Sequence, residues 1–201
     1  MSSAALAQSF VSFGDNALIS AYLEGDELAF EALVGRYQDK LVNYINTLIH
    51  DYDLAVDLAQ EAFIRVYRNA DRYEGKYQFS TWVYRIATNL AIDEMRRRER
   101  KGRFFLYNVM AAFQKEDKEF PLPDTRECPE RSLSRSERLA KLQSAIDSLP
   151  ENYRLSFILK EVQELSYVET SKVLKISLGT VKSRIHRAKM LLREKLSGIA
   201  L

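Results

Sequence analysis

The segment from Ser166 to Leu196 holds two helical patterns separated by three residues, and no other feature restricts the chain as much. Ser166, followed three residues later by Glu169, is the capping pattern of a first helix through Leu174, with hydroxyl and carboxylate each satisfying an otherwise unpaired backbone N–H. Lys175, Ile176 and Ser177 make the turn, and Ser177 caps a second helix. On that helix Val181, Ile185, Ala188, Leu192 and Leu196 recur at helical spacing, while Lys182, Ser183, His186, Arg187 and Met190 fall opposite. Between Lys182 and Lys195 six Lys or Arg stand against one Glu, a density that is costly to bury and suits a polyphosphate. An ordinary surface helix with a solvated basic side is the alternative, but the short capped helix upstream favours a helix-turn-helix laid in a DNA groove. The turn holds no glycine, so Lys175 or a neighbour has to take up the strain.

Net charge is only +2, yet it divides unevenly. Residues 1 to 64 carry Arg36 and Lys40 against ten acidic residues, net −8, which leaves the other 137 at net +10. Phosphate repels a negative lobe, so that end of a nucleic-acid binder is expected to meet a protein partner. At 46% hydrophobic and 29% charged residues, the chain is expected to be soluble and globular, with one substantial core or two small ones. No basic-then-apolar leader opens it and no apolar run is long enough for a bilayer, so a cytoplasmic setting without membrane insertion is expected. The single cysteine, Cys128, excludes an internal disulfide and reads as an inert linker thiol.

Helical periodicity without strand alternation predicts an all-α chain of two small domains. Helices are expected at about Asn16 to Gly25, Asp26 to Ile49, Asp53 to Asn69 and Ser80 to Arg100, giving a first domain over residues 1–103. Pro121, Pro123 and Pro129 then interrupt a stretch with no apolar stripe, which marks a flexible linker over 104–133. Its opening run, Phe104-Phe105-Leu106-Tyr107, either finishes the preceding helix or docks on a partner. In the second domain, over 134–201, Leu139, Leu142, Ile146 and Leu149 mark one helix and Pro150 suits the first turn of the next.

In the third predicted helix Ala55, Leu58, Ala59, Ala62, Phe63 and Val66 form the core stripe, with Asp57, Gln60, Glu61, Ile64 and Arg68 opposite. A solvated face has no need of Ile64, so this row is a candidate protein-docking face. The loop from Tyr73 to Trp82 is crowded with aromatics, and the helix after it ends Arg96-Arg97-Arg98-Glu99-Arg100-Lys101. Stacking surfaces beside phosphate-binding charge suit unpaired bases. Val83, Ile86, Ala87, Leu90 and Ala91 take the core side of that helix; Arg85 and Asn89 share another face near the loop, where an Asn amide can meet an extruded base. Phe79 and Trp82 are expected in the core, and Tyr73 is the preferred stacking surface because its hydroxyl tolerates a wet edge. No catalytic set, cofactor or metal site is expected, since His50 and His186 lack ligand-spaced neighbours and Asp51, Asp53 and Asp57 lack ligand number and a Gly-bearing loop.

Four motifs in order, Asp57-Leu58-Ala59-Gln60-Glu61-Ala62-Phe63, Phe79-Ser80-Thr81-Trp82-Val83-Tyr84-Arg85-Ile86-Ala87-Thr88-Asn89, Leu149-Pro150-Glu151 and Gly179-Thr180-Val181-Lys182-Ser183-Arg184-Ile185-His186-Arg187-Ala188, resemble the bacterial sigma-70 type initiation factors. The likeness is to the small two-domain extracytoplasmic-function (ECF) group and spans nearly the whole chain. It implies that the first domain docks on the clamp helices of core RNA polymerase through Asp57, Gln60, Glu61 and Ile64. It also implies that the aromatic loop and following helix open the minus-10 promoter element and hold a flipped base, with Tyr73, Ile86 and Asn89 at pocket positions and Arg85 and Arg96 beside them. The helix from Ser177 would read the minus-35 element through Lys182, Ser183, His186 and Arg187, with Arg184 placed for phosphate. An anti-sigma partner is implied as well. Lys76, Tyr77 and His186 occupy positions that vary within the family, so the promoter sequence stays open.

The expected function is therefore promoter-specific initiation on core RNA polymerase, without catalysis or cofactor. One rival is a regulator with an N-terminal sensing domain, which needs no single-strand pocket. The other is a magnesium-dependent DNA-processing enzyme built on Asp51, Asp53 and Asp57.

Overall fold

The computed structural model describes residues 13–73, 75–113 and 135–197, and among these the chain is helical with no strand. The first domain comprises α1 (Asp15–Leu23), α2 (Glu27–Ile49), α3 (Tyr52–Arg68), a 3-10 turn at Ala70–Arg72 and α4 (Phe79–Phe113). The second comprises α5 (Arg135–Asp147), α6 (Glu151–Phe157), a π-helical turn at Ile158–Val162, α7 (Tyr167–Leu174) and α8 (Leu178–Leu196).

Local chemistry sets the helix starts. Asp26 accepts from the Leu28 amide at 3.1 Å to open α2, and Asp51 accepts from the Leu54 amide at 3.1 Å to open α3. Some of the negative lobe is thus spent on caps. α2 is the central element, packed on α1, α3 and α4, and its Leu33, Leu41, Tyr44 and Ile45 are shut away from solvent with Val66, Phe79 and Val83. The Tyr44 hydroxyl lies 2.8 Å from Thr88 Oγ1, and Thr88 in turn donates to the Tyr84 carbonyl at 2.6 Å, so the polar atoms enclosed in this core are paired.

One open alternative is settled and two expectations are revised. The run Phe104 to Tyr107 finishes the preceding helix, because α4 continues to Phe113. Gly102 does not end it, since one interior glycine costs only about 1 kcal/mol and no proline follows before Pro121. Pro150 is the cap residue of α6, one position before the first turn. In α5 only the last turn is covered: Ile146 and Leu149 are buried, whereas Leu139 is 59% exposed and Leu142 is on the surface too. Cys128 and the three linker prolines lie outside the described residues.

The two domains touch, which no sequence pattern anticipates. α4 packs on α7, where Ser80 Oγ lies 3.4 Å from Glu169 Oε1, and on the residue after the π-helical turn, where Tyr84 donates to Gln163 Oε1 at 2.7 Å. His50 Nε2 stands 3.0 Å from Asp147 Oδ1, and Arg154 Nη2 is 3.6 Å from Met95 Sδ. Burial pushes the Tyr84 hydroxyl up to about 12, so it donates to Gln163 as a neutral phenol through the physiological range.

Candidate polymerase and promoter interfaces

On α3 the stripe Ala55, Ala59, Ala62, Phe63 and Val66 is buried and Leu58 is partly so, which turns Asp57, Gln60, Ile64 and Arg68 to solvent, with Glu61 at the margin. Ile64 is 44% exposed. Glu61 accepts from Arg65 Nε at 2.8 Å, an exposed pair one turn apart. Sequence reading missed Tyr67, which is exposed three residues beyond Ile64 and closes an aromatic group with Tyr22 and Phe30, ring centroids 4.9 to 5.7 Å apart. The spacing from Ile64 was the available signal. Asp51, besides capping α3, meets Arg98 Nη2 at 2.7 Å; the Leu54 amide and then Arg98 hold its carboxyl below the usual range. Among the described residues no three His, Cys, Asp or Glu side chains are grouped to hold a metal.

The aromatic loop forms one wall of a cavity of about 530 Å³. Tyr73 stacks on Trp82 with ring centroids 5.1 Å apart, and its hydroxyl lies 2.8 Å from Asn16 Oδ1 and 2.5 Å from the Tyr77 carbonyl. Partial burial raises the Tyr73 hydroxyl pKa above its ordinary value. Phe79 is fully buried as expected, but Trp82 is only half-buried and lines the cavity, because its ring backs Tyr73. Arg85 lines the cavity as well. Ile86 is partly buried against the core, Asn89 is exposed one turn beyond Arg85, and Arg96 is exposed two turns farther on. Those three do not line the cavity, so the structure gathers only Tyr73 and Arg85 of the five expected residues there. Arg72 and Lys76 complete the wall, and Ser171, Lys172, Lys175 and Ile176 of the second domain close it.

The helix-turn-helix has the expected caps. Ser166 and Glu169 form the reciprocal capping box at 3.1 and 2.8 Å, and Ser177 Oγ accepts from the Thr180 amide at 3.1 Å. Lys175 takes the left-handed backbone, φ 54°, and its N–H and that of Ile176 both reach the Ser171 carbonyl. Val181, Ile185, Ala188 and Leu192 are buried and Leu196 is partly covered. Lys182, Ser183, His186 and Arg187 are exposed on the opposite side, and Arg184 lies between the faces, half-buried. The Ser183 hydroxyl donates to the Thr180 carbonyl at 3.0 Å. Lys189, on the same helix, is paired with Glu161 at 3.0 Å.

An acidic, partly apolar helical face in one unit and a helix-turn-helix with an exposed basic face in the next are the features of a two-domain DNA-binding protein. The description "Sigma-70 region 2" matches residues 33–101, and "Sigma-70, region 4" matches residues 139–192. The ECF RNA polymerase sigma factor SigW of Bacillus subtilis is 38% identical over 86% of this chain and 91% of its own length. The ECF RNA polymerase sigma-E factor of Escherichia coli K12 is 34% identical over 87% of this chain and 90% of its own. The chain therefore belongs to the sigma-70 family, in its ECF group, and is an RNA polymerase sigma factor that directs transcription initiation. The fold is shared with CnrH, solved in complex with the cytosolic domain of CnrY, at a TM-score of 0.67 and 21% identity over 92% of this chain and 99% of that one. It is shared too with the sigma factor RpoE of Bartonella quintana, solved with the anti-sigma factor NepR, at 0.62 and 23% identity over 85% and 98%.

Proposed function

We propose that residues 1–103 bind core polymerase and open the minus-10 element, that residues 134–201 read the minus-35 element, and that 104–133, beginning with the end of α4, connect them. Asp57, Gln60, Glu61 and Ile64 of α3 meet the polymerase, where Ile64 supplies apolar contact and the carboxylates supply register. Tyr73 and Arg85 take an unpaired base and its phosphate, with Ile86, Asn89 and Arg96 continuing the track along α4. Lys182, Ser183, His186 and Arg187 meet base edges while Arg184 meets phosphate. The observation that carries this reading is α8, whose polar side chains stand in solvent over a buried apolar stripe.

The protein acts without catalysing a reaction and works in the cytoplasm; no described helix is long and apolar enough to cross a membrane. An anti-sigma factor is its regulatory partner, a reading supported by the complexes in which CnrH and RpoE of Bartonella quintana were solved. Promoter-directed transcription with purified core polymerase tests the whole scheme. A start site that appears only when this chain is added, with permanganate-reactive thymines at the minus-10 element, is the expected result. Core binding without any promoter-specific start would sink it.

A further inference from the structure

Cations of both domains line the cavity between them. Arg72, Lys76 and Arg85 face Lys172 and Lys175 across it, and no described carboxylate lines it. None of the five makes an ion pair among the described residues. Like charges brought together by domain closure repel, and an anion between them removes that repulsion. The walls are also aromatic: Tyr73 and Trp82 are stacked, and the Lys172 ammonium sits 5.2 Å over the Tyr77 ring. About 530 Å³ is the size of a small-molecule site.

We propose that this interdomain cleft binds a nucleoside polyphosphate, its phosphates held by cations of both domains and its base lying against the Tyr73, Tyr77 and Trp82 wall. Because both domains build the site, occupancy favours the closed arrangement by mass action. The closed arrangement is not the promoter-bound one, a consequence that rests on the promoter reading above. Lys175 shares a cavity with Tyr73, and Arg187 lies beyond it by only the three-residue turn and the first ten residues of α8, at most about 24 Å. Elements named for positions 10 and 35 lie about 25 base pairs, or about 85 Å, apart on duplex DNA. Nucleotide and promoter therefore compete for different arrangements of one molecule.

Trp82 is the only tryptophan of the chain and lines the cleft, so its emission reports occupancy directly. ATP titrated into the full-length protein at low salt is expected to quench that emission saturably, and inorganic triphosphate to bind at least about tenfold more weakly. A Lys172→Ala/Lys175→Asn double variant, with Asn tolerating the left-handed backbone, and a separate Lys76→Ala variant on the loop are each expected to weaken ATP binding at least about tenfold. Circular dichroism verifies that each variant is folded. No saturable quenching up to about 1 mM ATP, or equal affinity for inorganic triphosphate, overturns the nucleotide assignment. Loss in the variants of one domain only overturns the two-domain site. Core-polymerase binding, measured alongside, speaks to the transcription reading alone: its absence would count against that reading and leave the titration interpretable.

Discussion

On α8 neighbouring cations differ in what they can reach. Arg187 is exposed on the face opposite the buried stripe, whereas Arg184 lies at the margin. Arg187→Ala is expected to cost about 1 to 3 kcal/mol at one or two base pairs of the upstream element and little elsewhere. Arg184→Ala should weaken all sequences alike and shallow the salt dependence by about one unit. Binding to a panel of single-base promoter variants at two salt concentrations separates the two, and a uniform loss for Arg187→Ala would place it among the phosphate contacts. Exposure of this face was legible from the helical period alone. The Lys189 to Glu161 pair was not, because its partner comes from the π-helical turn 28 residues earlier in the chain. A second residue-scale prediction concerns Glu94, which is nearly buried and accepts from Arg97 at 2.5 and 2.8 Å and from Arg98 at 2.9 Å. Arg97 first, and then Arg98, hold its carboxyl below the usual range, against a burial that would raise it. A lowered pKa stabilises the fold above the ordinary carboxylate range, and that contribution fades as pH falls through the lowered value. Glu94→Gln should therefore cost about 1 kcal/mol at pH 7, both arginines being partly exposed, and the difference from wild type should shrink below pH 4 in urea titrations. A difference that persists at pH 3 would assign the effect to packing.

Among the helices, α3 brings its exposed row into register with the exposed ring of Tyr67. Reversing two charges with Asp57→Lys and Glu61→Lys should weaken core-polymerase binding at least about tenfold, while losing only the surface Arg65 pair within the fold. Wild-type retention on immobilised core by this double variant would move the docking face elsewhere. In the helix-turn-helix, the strain expected at the glycine-free turn falls on Lys175 itself. Lys175→Gly is expected to stabilise the protein by about 0.5 to 1 kcal/mol, read as a higher urea midpoint, and a lower midpoint would mean that the lysine stem contributes more by packing than its backbone costs. The starts of the last two helices were legible because Ser166 and Ser177 announce them chemically. The end of α4 was not, since Gly102 and the apolar run after it are compatible with either stopping or continuing. The exposed start of α5 escaped notice for a related reason: helical spacing says which residues share a face, and nothing about whether another element covers it.

For the molecule as a whole, the division into two helical domains was readable from periodicity and proline placement, but their contact was not. It joins α4 to the second domain by side-chain packing and by polar links such as Tyr84 with Gln163 and Ser80 with Glu169, and pairings between distant parts of the chain leave no periodic trace. The wall of the aromatic cavity built by the first domain was consequently legible, and the wall supplied by Ser171, Lys172, Lys175 and Ile176 was not. Gln163→Ala should leave helicity intact and enlarge the radius of gyration measured by scattering, as more molecules part at the α4 to α7 contact. An unchanged radius would mean that the remaining contacts hold the domains together unaided. The π-helical turn at Ile158–Val162 ends directly before Gln163, whose side chain accepts from Tyr84. On the promoter reading proposed above only opened molecules are competent for both elements, and every 1.4 kcal/mol added to closure is then expected to lower the competent fraction, and with it the apparent promoter affinity, by about tenfold. On the same reading, residues that never approach DNA set how much of the protein is needed for a given promoter occupancy.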